Sequence, residues 1–106
     1  MVTYQDAGLL ALGDPTRLAI LELLVESPLA VVDLTKALPV SRPAVSQHLR
    51  VLKDAGLVVD RAVGNRRIYR ADPDALAGLR DQLDRFWSQA MAAYKVAVER
   101  PNQEDG

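Results

Sequence analysis

A chain of 106 residues, 49% hydrophobic, 25% charged and with a net charge of −1, has apolar material for one modest core and not for two. It contains no cysteine, which excludes disulfides, thiolate metal centres and thiol redox sensing, and a single histidine, a scarcity that argues against catalysis. No apolar run reaches the roughly 18 residues of a membrane span, and Met1 to Gly8 lacks the basic-then-apolar order of a signal peptide, so a cytoplasmic protein without membrane contact is expected.

Tyr4 to Leu12 carries Leu9, Leu10 and Leu12 and predicts a short helix ended by Gly13. Asp14-Pro15 places an N-cap before a proline at the first helical position and opens a second helix through about Glu26. Leu18, Ile20, Leu21, Leu23, Leu24 and Val25 make that helix apolar around much of its girth, as expected of a central element; Ser27-Pro28 stops it. Val31 to Leu38 predicts a third helix, closed by Pro39. The fourth helix begins at once after Ser41, a good N-cap, and runs to Gly56, which suits a left-handed C-cap. Two helices joined by so short a turn form a helix-turn-helix unit.

On the fourth helix Val45, Leu49 and Leu52 recur at helical spacing and face a core, which turns Arg42, Pro43, Ser46, Gln47, Arg50 and Lys53 outward. The outward set is rich in hydrogen-bond donors and holds no carboxylate. Glutamine can pair with an adenine edge and arginine with guanine, so a groove-reading helix accounts for these residues; a solvated surface helix is the alternative. After Gly56 the period changes to extended: Leu57 to Val63, a Gly64-Asn65 turn, then Arg66 to Arg70 predict a β-hairpin, which beside a helix-turn-helix is a wing. Between Pro39 and Arg70 seven basic residues (Arg42, Arg50, Lys53, Arg61, Arg66, Arg67, Arg70) meet two acids (Asp54, Asp60), a local charge of +5 that leaves −6 elsewhere. The expected DNA-contacting set is Ser41, Arg42, Ser46, Gln47, His48, Arg50 and Lys53 on or before the helix, and Arg66 and Arg67 past the turn. Strand charges that only block edge pairing are the alternative for the arginines, and a packed structural role is the alternative for His48. A lone histidine makes no ordinary transition-metal site, so no metal or cofactor is expected.

Asp72 and Pro73 open a last helix in which Leu76, Leu79, Leu83, Phe86, Ala90, Tyr94 and Val98 keep steps of three and four, widened by Trp87 and Met91. Asp81 and Asp84 alternate with Arg80 and Arg85 as ordinary exposed helix charges do. The elements before this helix are too small to cover its stripe. A second copy covers it through Leu9, Leu10, Leu79, Leu83, Phe86, Trp87, Ala90, Met91 and Tyr94, and a closed two-fold dimer presents two recognition helices to half-sites about one helical turn apart; the alternative is a monomer in which they form core. The fold expected is mainly α (α+β): a winged helix-turn-helix of four helices, a hairpin wing and a C-terminal helix. It forms one domain over residues 1–100, with 101–106 as a frayed polar tail.

These residues carry a family resemblance. Asp14-Pro15-Thr16-Arg17 with Ile20-Leu21, the stretch Ser46-x-His48-Leu49-x-x-Leu52-x-x-Ala55-Gly56-Leu57, and Gly64-Asn65-Arg66-Arg67-Ile68-Tyr69 resemble the ArsR (arsenic repressor-like) family of winged-helix transcriptional regulators over about residues 6 to 98. The resemblance implies no enzymatic activity and an obligate homodimer built from the first and last helices. It also implies binding to operator DNA, an inverted repeat, that usually represses transcription, and DNA reading at Ser46, Gln47 and His48 with Arg42 and Arg50 nearby. The chain departs from the family's metal sensors. Val31-Val32-Asp33-Leu34 stands where they carry a Cys-x-Cys site, and Asp84-Arg85-Phe86 where zinc sensors carry Asp-x-His. A branch answering to an organic small-molecule effector, a partner or its own concentration is implied. A winged-helix protein-interaction module that does not touch DNA is the rival reading, since fold does not fix function.

Overall fold

The computed structural model describes residues 4–100. Among them five helices and a three-stranded antiparallel sheet follow in the order α1 (Tyr4–Ala11), α2 (Pro15–Glu26), β1 (Leu29–Ala30), α3 (Val31–Ala37), α4 (Arg42–Asp54), β2 (Val58–Val63), β3 (Arg66–Ala71) and α5 (Pro73–Glu99). This is the winged helix-turn-helix the sequence predicts. The segment 101–106, expected to fray, lies outside the described residues.

The helix boundaries follow from local chemistry. The Asp14 carboxylate accepts from the backbone N–H of Thr16 (2.8 Å) and Arg17 (3.2 Å), satisfying two orphan donors at the start of α2. Ser41 Oγ accepts from Ala44 N–H at 3.3 Å, and Asp72 Oδ1 from Asp74 N–H at 3.0 Å. Asp33 reaches back to accept from Ala30 N–H at 3.0 Å, which starts α3 without a polar residue at the cap itself. At the end of α4, Leu57 N–H donates to Leu52 C=O (3.0 Å) and Gly56 N–H to Lys53 C=O (2.9 Å). With Gly56 at φ +80° and Leu57 buried, this is a Schellman closure.

Ile20, Leu21, Leu24, Leu34, Val45, Leu49, Leu52, Leu57 and Val58 form the centre of the core, where α2, α3, α4 and the base of the wing meet. α2 is apolar around much of its girth but is not covered all round: Ile20, Leu21 and Leu24 are buried and Leu23 packs against the core, whereas Leu18 and Val25 are exposed. The chain has too few elements to cover both sides of a twelve-residue helix.

The sheet order is β1-β3-β2. β1 escapes sequence reading because two residues show no alternation; it pairs with β3 at Leu29↔Tyr69 and Ala30↔Ile68 and ties the wing's base to the start of α3. In the β2–β3 hairpin Val63 faces Arg66 across Gly64-Asn65. Gly64 sits at φ +64° while Asn65 stays at negative φ, the pattern of a type II′ turn. Tyr69 is partly buried and packs against the core.

α5 is 27 residues, about 40 Å long. Its first turns dock on the core through Ala75, Leu76 and Leu79, with Gly8 of α1 facing Leu57 and Leu79. Beyond Leu79 it leaves the core, and no helix among the described residues is long and apolar enough to cross a membrane.

Candidate nucleic-acid interface

Because Val45, Leu49 and Leu52 are fully buried, helix geometry forces the opposite side of α4 outward. Arg42, Ser46, Gln47 and Arg50 are all exposed there, one to two turns apart, and none has an intramolecular side-chain partner among the described residues. Ser41 is exposed as well, with its hydroxyl engaged as the N-cap. The face carries two guanidinium groups, an amide and a hydroxyl, all able to donate to base edges or phosphate oxygens.

The other expected contacts are organised differently. Lys53 is half exposed, and its Nζ lies 2.8 Å from Asp60 Oδ1. Arg67 Nη1 donates to the second oxygen, Oδ2, of the same carboxylate at 2.8 Å. Arg66 Nη2 donates to Asp33 Oδ2 on α3 at 3.3 Å. Side chains alternate along a strand, so the adjacent Arg66 and Arg67 leave the wing on opposite faces, one toward α3 and the other toward α4. Arg61 and Arg70, exposed and without partners among the described residues, share the Arg66 face.

His48 is half-buried on the flank of α4, apart from the outward set. Its Nδ1 accepts from Arg17 Nε at 3.2 Å, and the same guanidinium donates to Ala11 C=O at 3.2 Å. The histidine thus links α4 to the α1–α2 junction, and a contact to another molecule is left to Nε2.

Sequence reasoning missed the three acceptors and donors that organise these side chains: Arg17, Asp33 and Asp60. For Asp60 a signal exists. Strand alternation puts it in phase with Val58, on the inward side of the wing, where an acid is unexpected without a cation beside it. Its carboxyl titrates below the ordinary 3.8, first because Lys53 hydrogen-bonds to it; desolvation opposes the shift and the Arg67 hydrogen bond adds to it.

On α5 and α1 the expected pairing residues divide. Leu79 is buried and Leu9 partly buried within the chain, and Ala90 is half-buried. Leu10, Leu83, Phe86, Trp87, Met91 and Tyr94 are exposed, Phe86 at 60% and Trp87 at 57%. The two rings meet edge to face with centroids 5.9 Å apart.

Residues 14–59, which span α2 to the start of β2, match the model of the bacterial regulatory protein, arsR family. The chain is 54% identical over 101 residues to the HTH-type transcriptional regulator Rv2034 of Mycobacterium tuberculosis, covering 93% of this chain and 94% of that protein. Among solved structures it resembles the ArsR-like transcriptional regulator from Rhodococcus sp. RHA1, at a TM-score of 0.74 and 34% identity over 92% of this chain and 95% of that one. It also resembles a possible transcriptional regulator for arsenical resistance, at a TM-score of 0.71 and 42% identity over 81% of this chain and 94% of that one. Fold, recognition-helix pattern and relatives agree: the chain belongs to the arsR family of bacterial regulatory proteins, which are transcriptional regulators and not enzymes.

Proposed function

We propose that this protein is a homodimeric repressor that recognises an inverted-repeat operator, with α4 in successive major grooves and the wing on the flanking minor groove or its phosphates. The observation that carries the reading is the exposed face of α4. Arg42, Ser46, Gln47 and Arg50 stand there without partners among the described residues, and residues 42–53 hold no acid. Gln47 and Arg50 supply bidentate base contacts, while Ser41, Arg42, Ser46, Lys53, Arg66, Arg67 and the Nε2 of His48 hold phosphates or bases. Affinity comes mainly from phosphate neutralisation by the +5 segment. The name of a Staphylococcus xylosus relative, arsenical resistance operon repressor, supports repression as the direction of control; that protein is 37% identical over 85 residues, 78% of this chain and 82% of the relative.

The dimer uses the exposed apolar side of α5 with Leu10 of α1, and the protein acts in the cytoplasm, on its own promoter among others. Control is independent of metal, because no cysteine is present and the single histidine already accepts from Arg17. An organic effector or protein concentration then sets occupancy. A gel-shift of the chain against its own upstream region across a salt series tests the reading. A two-fold symmetric footprint, weakening steeply with salt and unmoved by added zinc, is expected. Absence of any shift in low-salt buffer overturns the DNA reading in favour of a protein-interaction module.

A further inference from the structure

We infer that Asp60 is a positioning residue for DNA binding: its carboxylate holds Lys53 at the end of the recognition helix and Arg67 on the wing together, so that both address one backbone phosphate. The inference rests on the DNA-binding reading above and adds to it a residue of the wrong charge for a DNA contact.

Asp60 Oδ1 lies 2.8 Å from Lys53 Nζ and Oδ2 2.8 Å from Arg67 Nη1, so each oxygen serves one cation. The Asp60 side chain keeps only 5% exposure, whereas the Lys53 side chain keeps 52% and that of Arg67 56%. The carboxylate is therefore covered and the two cations face solvent beside each other. Lys53 uses one of three donors and Arg67 one of five on Asp60, which leaves donors on both for an incoming phosphate. One acid between two cations keeps a local charge of +1 while cancelling the repulsion that would otherwise splay two long side chains. The two pairs satisfy both oxygens of a covered carboxylate and so add to stability, but only modestly because both cations are half exposed and screened. A second ion pair, Arg66 to Asp33 at 3.3 Å, holds the opposite face of the wing to α3 in the free protein.

Charge and positioning make opposite demands on Asp60→Asn. The substitution removes a negative charge from the basic surface, and electrostatics alone strengthens binding to every duplex. A positioning role demands weaker operator binding, by about tenfold, the scale of one charge-assisted contact, with binding to random duplex unchanged or stronger. Affinities of wild type, Asp60→Asn and Asp60→Glu for operator and random duplex, over one salt series, decide between them. The expected result is a fall in the operator-to-random ratio for Asp60→Asn and partial recovery for Asp60→Glu, with melting curves confirming folded protein. An unchanged ratio, or a tighter operator complex, overturns the clamp while leaving DNA binding intact; a wild type that binds no duplex removes both. Should Asp60→Asn fail to fold, Lys53→Gln, Arg67→Gln and the double variant answer the same question. Losses in operator affinity smaller together than their product support a shared phosphate, and strictly multiplicative losses overturn it.

Discussion

Two aspartates hold their protons less tightly in the folded chain than the ordinary value of 3.8. Asp14 is lowered first by the Arg17 backbone N–H, against desolvation and with help from Thr16 N–H, His48 and Arg17. Asp60 is lowered first by Lys53. A carboxylate whose folded pKa lies below its unfolded one adds stability that is fully present above the unfolded value and is lost as pH falls through it toward the folded value. The urea midpoint is therefore expected to stay level above about pH 5 and to decline through the region of 3.8 and below. Asp60→Asn flattens that decline and lowers the neutral-pH stability by about 1 kcal/mol, modest because both cations are half exposed and screened. An acid limb of unchanged steepness in the variant assigns the pH dependence elsewhere. At this scale the outward residues of α4 were legible, because helical phase from Val45, Leu49 and Leu52 dictates them. The partners of Arg66 and His48 were not. Asp33 and Arg17 lie 33 and 31 residues from their partners, and no local pattern encodes such a meeting.

The elements succeed where their ends and faces are both specified. α4 has a serine cap, an apolar seam and a Schellman closure, so its sequence carries the whole helix; Gly56→Ala, forced to hold φ +80°, is expected to lower stability by about 1 kcal/mol in thermal unfolding. The hairpin was legible from β-branched residues around Gly64-Asn65. β1 was not, because a two-residue strand exists only through its pairing with Tyr69 and Ile68. The exposed side of α2 was likewise hidden, since hydrophobicity without a clear stripe does not say which side lacks a cover. Division of labour between α4 and the wing is testable in binding. Gln47→Ala or Arg50→Ala is expected to relax base preference, each by about 1–3 kcal/mol of discrimination at its base pair. Arg66→Ala is expected to weaken all duplexes alike and lower the salt slope by about 1. Because Arg66 leaves Asp33 when it moves to phosphate, its loss of affinity is smaller than that of a free arginine such as Arg42. Equal, sequence-blind losses for Gln47, Arg50 and Arg66 contradict the assignment.

At the scale of the molecule, the proposed dimer rests on the long α5. Its first turns are consumed by the protomer core, and from Leu83 onward its apolar side, with Leu10 of α1, has no cover among the described residues. The stripe was legible from the steps of three and four, but which part belonged to the protomer was not, since that depends on where α1 ends against Gly8 and Leu79. Water around Leu83, Phe86, Trp87, Met91 and Tyr94 is unfavourable, at roughly 25 cal/mol per Å² of apolar surface. A second copy of the same side removes that surface in both chains at once. Sedimentation of wild type is then expected at twice the 11.6 kDa chain mass, and Phe86→Glu or Trp87→Glu, which places an unpaired charge at the seam, at the single-chain mass. Trp87 is the chain's sole tryptophan, so dilution of wild type should red-shift its emission as the dimer parts. The same variants bear on DNA, because two tethered recognition helices bind a repeat with an effective concentration that separate chains lack. Phe86→Glu should therefore reduce operator affinity by about a hundredfold or more while leaving the weak binding to a single half-site unaltered, since no residue of α4 or the wing has changed. A folded Phe86→Glu protein that sediments as wild type places the two-fold elsewhere; one that is monomeric yet grips the full operator normally makes pairing irrelevant to recognition.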